Sequence, residues 1–235
     1  MIRFFVALIV TTLLLVSQSA FAVNFGVFDA ADSTNIDSWI NNLGGDVTVY
    51  EDFEDVEVTD HVNWYSSLDT GIGTFTAAGD AGTGNTANPD GSLTFAVRDD
   101  DNYGRTNTTN LGQNYLDSAD ITEIDLVLND GLDLSNLFFF MTDASDCHAT
   151  TTTGLNLDLK EYAISSLSNG NQLFFGISLS ATEGYIERIT WSVSSTADGY
   201  GLDDFSSVAP VPEPATFILL GSGLAGLAFY RRKRK

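Results

Sequence analysis

From Val47 onward, apolar residues of this 235-residue chain recur at every second position in one short segment after another. Val47 and Val49 alternate with Thr48 and Tyr50, and Leu93, Phe95 and Val97 with Thr94, Ala96 and Arg98. Ile124, Leu126 and Leu128 do the same, as do Leu173, Phe175, Ile177 and Leu179, and then Ile189, Trp191 and Val193. A period of two puts all the apolar residues of a segment on one side of an extended backbone, so each segment predicts a strand with one buried face. Residues 137–141 are apolar without interruption, which predicts a central strand covered on both faces. Asp90-Gly91, Asp130-Gly131 and Asn169-Gly170 supply turns in which positive φ is cheap. Residues 77–90 and 98–116 read as long surface loops. About eight to ten strands with such loops predict a mainly β fold, an antiparallel β-sandwich of jelly-roll type. One helix precedes it. Ile36, Trp39, Ile40 and Leu43 form a single apolar face, with Ser33 or Asn35 as cap and Gly44-Gly45 as the stop.

The two ends of the chain have a different character. Met1 to Ala22 reads as a signal peptide: Arg3 provides the positive start, an apolar run follows, and Ala20-Phe21-Ala22 fits the cleavage pattern. An uncleaved N-terminal anchor is the alternative. At the other end, Val211-Pro212-Glu213-Pro214 precedes sixteen uncharged residues, 215–230, and then Arg231-Arg232-Lys233-Arg234-Lys235. As a helix those sixteen span about 24 Å against a hydrocarbon core of about 30 Å. Snorkelling basic side chains lengthen the effective span, and five of them on one flank place that flank in the cytoplasm. Ser222 and Gly226 form a small-xxx-small pair that would admit a second helix, although small residues are common in membrane helices.

This order of motif, apolar span and basic end resembles the PEP-CTERM sorting tail of Gram-negative bacteria. The resemblance covers about residues 210–235. It implies export, a pause at the inner membrane as a single-pass intermediate, processing by an integral-membrane exosortase, and delivery to the cell surface or extracellular matrix. Pro212, Glu213 and Pro214 are then recognition residues for another enzyme's chemistry. The chain divides accordingly into a signal peptide (1–22), an ectodomain (23–209) and a sorting tail (210–235), with motif 211–214, transmembrane helix 215–230 and basic end 231–235.

Within residues 23–209 only Arg98, Arg105, Lys160 and Arg188 are basic, against 31 acidic residues, a formal charge of −27. Such a field repels nucleic acid and anionic membrane surfaces and favours cations, and it sets nucleic acid aside as a partner. Cys147 is the single cysteine, so no intrachain disulfide can form. It is left with burial as a thiol, or with exposure beside Asp146 and His148 and an intermolecular disulfide.

Hard oxygen ligands are abundant while His and Cys are scarce, which favours calcium over zinc or copper. Acidic runs lie at residues 51–55, at 99–102 and at Asp203-Asp204, none with EF-hand spacing, and solvated surface is the plainer reading of each. The stretches Tyr50-Glu51-Asp52-Phe53-Glu54-Asp55 and Gly199-Tyr200-Gly201-Leu202-Asp203-Asp204-Phe205 resemble the first and last strands of many PEP-CTERM ectodomains. Those look like carbohydrate-binding-module or legume-lectin-like jelly rolls, several of which share a structural calcium between these strands. The resemblance implies that Glu54 meets Asp203 or Asp204 at one Ca²⁺ site.

No catalytic constellation stands out. His61 and His148 are the only histidines, no G-x-S-x-G elbow is present, and nothing selects a glycosidase pair among so many carboxylates. For sugar binding the loop aromatics Trp64, Tyr65, Tyr103, Tyr115 and Tyr200 are candidates, each with core packing as the plainer role, while Trp39 and Trp191 read as core. The sequence thus predicts a non-enzymatic, exported surface or exopolysaccharide-matrix protein, structural or glycan-binding. A secreted polysaccharide hydrolase is the alternative.

Overall fold

The structure is a computed structural model that describes residues 24–109, 112–132, 134–143, 148–151, 156–158, 170–179 and 184–209. In chain order the elements are β1 (Asn24–Asp29), α1 (Ser33–Leu43), β2 (Val47–Glu51), β3 (Val62–Tyr65), β4 (Ser67–Asp69), β5 (Gly73–Ala78), β6 (Phe95–Arg98) and β7 (Tyr115–Asp117). There follow β8 (Glu123–Leu128), β9 (Asn136–Thr142), β10 (His148–Thr151), β11 (Asn156–Asp158), β12 (Gln172–Ser178), β13 (Arg188–Ser192) and β14 (Gly201–Val208). They form two antiparallel sheets. One has eight strands in the order β1-β12-β9-β14-β7-β6-β3, with β2 also paired to β14, and the other has six in the order β11-β10-β13-β8-β5-β4.

The period-two segments explain how the sheets meet. Leu137, Phe139 and Met141 of β9 stand opposite Ile177, Phe175 and Leu173 of β12, and all six point into the core. From the other sheet come Phe75, Leu126, Ile189 and Trp191. Trp191 meets Phe139 edge-on at 5.3 Å and Phe205 at 5.9 Å, so rings from both sheets interlock at the centre. Gly91, Gly131 and Gly170 all adopt positive φ in the turns the dipeptides predict.

The residues between these positions face the other way and explain the helix. Phe138 and Phe174 join Ile36, Trp39 and Val208 in a second buried cluster beneath α1. The uninterrupted run at 137–141 is thus a central strand covered on both faces. Trp39 lies flat because Gly26 and Gly176 are direct partners across β1 and β12. A Cβ at Gly176 would stand 2.6 Å from the indole, and one at Gly26 2.7 Å from it. This glycine pair is the floor of the Trp39 site.

The structure corrects several expectations. Strand β1 precedes the helix, where no strand is predicted, and fourteen strands occur among the described residues. The cap of α1 is Asp32, whose side chain accepts from the Asn35 N–H at 3.2 Å; Ser33 and Asn35 lie inside the helix. Val47 and Val49 are exposed, although they pair with the buried Val208 and Ser206 of β14. In the first long loop, Ala77 and Ala78 still belong to β5.

Candidate functional site

Among the described residues, the connection from β6 to β7 (99–109 and 112–114) is pinned at two polar stations. The first is built on Arg105, which is buried. Its Nη1 donates to Asp117 Oδ1 at 2.6 Å, and its Nη2 to Asp120 Oδ1 at 3.1 Å and Thr86 Oγ1 at 3.0 Å. Arg98 reaches the other oxygen of Asp117 at 2.7 Å, so this wholly buried carboxylate bridges two guanidinium groups. Burial works against the charge on Arg105, yet Asp117 and Asp120 outweigh it and hold its pKa above the usual value.

The second station contains the three carboxylates singled out in the sequence. Strands β2 and β14 are neighbours, Phe205 standing opposite Glu51, which brings Glu54 and the Asp203-Asp204 pair to the same loop. Glu54 Oε1 accepts the N–H groups of Gln113 and Asn114, each at 2.7 Å, and the Asn107 amide at 3.2 Å. Asp203 Oδ2 accepts the Thr108 N–H at 2.7 Å, its hydroxyl at 2.9 Å and the Thr109 N–H at 3.2 Å. Asp204 sits at φ 55° where the register of β14 shifts, and its Oδ1 accepts the Thr109 hydroxyl at 2.8 Å. A bulge of this kind re-aims a side chain.

The electrostatics of this station are strained. Burial, reinforced by the charge of Asp204, pushes Asp203 up to about 7 in spite of its donors. Asp204 is raised by burial, and Asp52 and Glu54 add to it. Glu51 is raised by burial as well. Oxygen donors suit calcium, but the grouping does not: among the described residues no three His, Cys, Asp or Glu side chains converge as a metal-holding set. Several of the oxygens already face N–H groups, which present positive charge where a cation would sit.

Beside the first station lies a cleft of about 180 Å³, lined by Asn85, Thr86, Tyr103, Arg105, Asp120, Asp143, Ala197 and Asp198. Four separate connections and the end of β9 supply these residues, an arrangement in which a rigid sheet frame positions a loop-built site. Tyr103 projects at its rim, 60% exposed and at φ 53°. The other loop aromatics have structural partners. Tyr115 and Tyr200 are buried and donate to the carbonyls of Asp100 (3.0 Å) and Trp191 (3.3 Å). Tyr65 stacks on Phe95, and Trp64 carries the Arg98 guanidinium 5.7 Å above its ring. Trp39 and Trp191 are core residues.

Among the described residues that line the cleft there is no histidine. His61 is exposed in the turn before β3, with Nδ1 2.7 Å from Asp99 Oδ1, a hydrogen bond that raises its pKa. His148 begins β10. Sequence reasoning missed Arg105, Asp117 and Asp120. The available signal was scarcity, since a cation among 31 carboxylates is the residue around which they gather.

Ala20 and Ala22, Val211 to Pro214, the apolar run 215–230, Arg231 to Lys235 and Cys147 lie outside the described residues. Among those described, no helix is long and apolar enough to cross a membrane. No curated protein matches the chain. Among solved structures, the enzymatically active domain of tailspike protein 4 from bacteriophage CBA120 is similar at 12% identity and a TM-score of 0.28. The match covers 68% of this chain and 21% of the tailspike chain. Residues 210–235 match the PEP-CTERM protein-sorting motif. The tail therefore carries the exosortase recognition signal, which marks the chain as an exported protein with a C-terminal membrane anchor before processing.

Proposed function

We propose that the protein is a non-enzymatic component of the cell surface or extracellular polysaccharide matrix that binds glycan through the Arg105 cleft. The observation that carries the reading is the sorting motif at residues 210–235, because it sends the folded domain out of the cell. The cleft supports the glycan part. Its lining is polar, its main anchor is held rigid by two carboxylates, and one exposed ring stands at the rim for a sugar face to pack on. Three of the four basic residues of 23–209 are paired with aspartates, Arg98 and Arg105 with Asp117 and Arg188 with Asp125. Neutral or amine-bearing glycans suit such a surface, and uronic or sulfated polymers are repelled.

A structural Ca²⁺ at Glu54, Asp203 and Asp204 is a further proposal: all three carboxylates meet the same loop, and burial raises Asp203 and Asp204, but a cation there would require the N–H groups that now face Glu54 and Asp203 to turn away. The hydrolase alternative draws support from Asp120, Asp143 and Asp198 at the same cleft. Retention of the exported protein on purified matrix polysaccharide tests the reading. Wild type should be retained and Tyr103→Ala should lose retention without a change in melting, with no reducing ends released. Release of reducing ends would favour the hydrolase, and a wild type that is not retained would end the glycan reading.

A further inference from the structure

Among the described residues, the segments around the Arg105 cleft are each joined to the next. Residues 83–86 are fastened to Thr196, whose carbonyl accepts the Thr83 and Gly84 N–H groups at 2.6 and 3.1 Å, and the two threonine hydroxyls lie 2.8 Å apart. From Asp198 the chain runs into β14, where Gly201 pairs with Thr142, the neighbour of Asp143. Asp143 accepts the Gly170 N–H at 3.1 Å. A Cβ at Gly170 would stand 3.4 Å from the Gly104 Cα, so that turn touches the loop that carries Tyr103. Arg105 closes the ring, because its Nη2 donates to Thr86 Oγ1 at 3.0 Å.

Burial separates the floor of this ring from its rim. Thr86, Arg105, Asp120 and Asp143 are buried, and the Thr86 N–H donates to Asp120 Oδ2 at 3.2 Å. Asn85, Tyr103 and Ala197 are exposed. Tyr103 is presented by a type I′ turn, with φ 53° at Tyr103 and 90° at Gly104. The N–H groups of Asn102 and Arg105 donate to each other's carbonyls at 2.9 and 3.1 Å. Both feet of the turn are fixed, Arg105 by its carboxylates and Asn102 by donating to Asp117 Oδ2 at 3.3 Å. Gly or Asn would suit the Tyr103 position better, and strain of this kind gathers where a side chain must be shown to a ligand. The cleft of about 180 Å³ has room for one six-membered ring, since a cavity of about 150 Å³ takes up benzene.

We infer that the cleft recognises the end of a glycan chain: it takes one terminal pyranose unit, packed against Tyr103, and excludes internal units. This rests on the glycan reading of the cleft and adds the part of the polymer that enters. An internal unit carries a neighbour at each of two ring positions, so its site must be open at both ends. A terminal unit needs a single opening, which is what a ring of joined segments over a buried floor leaves. The terminal unit also bears a free hydroxyl where an internal unit bears its second linkage. Asp120 and Asp143 place carboxylates at the floor, groups that accept hydrogen bonds and call for donors on the ligand. The extra hydroxyl supplies one.

The test counts binding sites on purified matrix polysaccharide, intact and after graded acid hydrolysis, in which every linkage cut creates one new end of each kind. A reducing-end assay counts the ends, and titration calorimetry with the exported protein reads the sites per gram. Sites per gram should rise in proportion to the ends created, at an unchanged Kd. Ala197→Trp fills the mouth from an exposed position and should abolish binding to the hydrolysate without a change in melting temperature. Binding of that variant at wild-type strength overturns the assignment to this cleft. Sites per gram that stay constant as the chains shorten mean internal recognition, and they overturn the inference while the glycan reading stands. Binding to neither preparation removes the glycan reading itself.

Discussion

Replacing Asp203 by Asn should invert the order of stability between acid and alkaline pH. In the folded protein Asp203 titrates at about 7, against 3.8 for a free side chain. Below pH 4 it is protonated in both states and adds no pH dependence. Between pH 4 and 7 the unfolded chain releases the proton while the folded chain keeps it, so stability falls by about 1.4 kcal/mol per pH unit. Above pH 7 the loss is complete at about 4 kcal/mol for this one group. An Asn never ionises, and this slope disappears.

The replacement has its own cost. Oδ2 of Asp203 serves two N–H groups and a hydroxyl, so an Asn must keep its oxygen there. Its NH₂ then faces the Asp204 N–H that Oδ1 accepts at 2.9 Å, and the clash of two donors costs about 1–2 kcal/mol. The net expectation is a variant about 1–2 kcal/mol less stable than wild type near pH 4 and about 2–3 kcal/mol more stable at pH 8, with a crossing near pH 5. Urea unfolding of the exported protein at pH 4.5, 6 and 8, with chelator and at constant ionic strength, reads the difference. The other raised groups, Asp204, Glu51 and His61, are common to both proteins and cancel to first order. Parallel curves with the variant less stable throughout would refute the reasoning. They would mean that the donors of Thr108 and Thr109 hold Asp203 ionised with ease.

Three further outcomes are expected. Trp39→Ala empties the site above the Gly26–Gly176 floor and should lower stability by about 3–5 kcal/mol in denaturant unfolding, while the interlocked rings around Trp191 stay in place. Arg105→Met leaves Asp117 and Asp120 buried without their shared partner; a loss of about 3–5 kcal/mol is expected by the same measurement. If the proposed Ca²⁺ binds at Glu54, Asp203 and Asp204, calcium should raise the melting temperature beyond what magnesium does, and Asp204→Asn should reduce the gain. Equal melting with calcium, magnesium and chelator would leave these carboxylates as staples of the 99–114 loop alone.

The parts of this molecule that were legible in the sequence are those set by local period. Ile124, Leu126 and Leu128, or Leu173, Phe175 and Ile177, show their shared face directly, because side-chain direction alternates along a strand whatever surrounds it. Alternation does not say whether a face is covered, and that is why Val47 and Val49 read as buried. Strands of three residues, such as β4, β7 and β11, are too short to show a period. Strand β1 reads poorly because Gly26 breaks its pattern, and the purpose of that glycine appears only when Gly176 and Trp39 are in place. At the loop stations the acidic residues were visible, and the pairing of β2 with β14 unites Glu54 with Asp203 and Asp204. Their partners were not visible, since Gln113 and Asn114 offer backbone N–H groups that any residue could supply, and the hydroxyls of Thr108 and Thr109 look no different from the chain's many others. Asp117 and Asp120 could not be told from other acids before the fold placed Arg105 between them.

The claim that this chain is an exported protein released from a membrane anchor through its sorting tail is tested most directly by the fate of Glu213→Ala. Inner-membrane, outer-membrane and extracellular fractions would be separated, and the chain in each identified by intact mass. The account predicts that the wild-type chain outside the cell begins at Val23 and lacks residues 215–235, and that Glu213→Ala accumulates in the inner membrane with its tail attached. A Glu213→Ala chain that reaches the surface and loses its tail at the wild-type rate would contradict it.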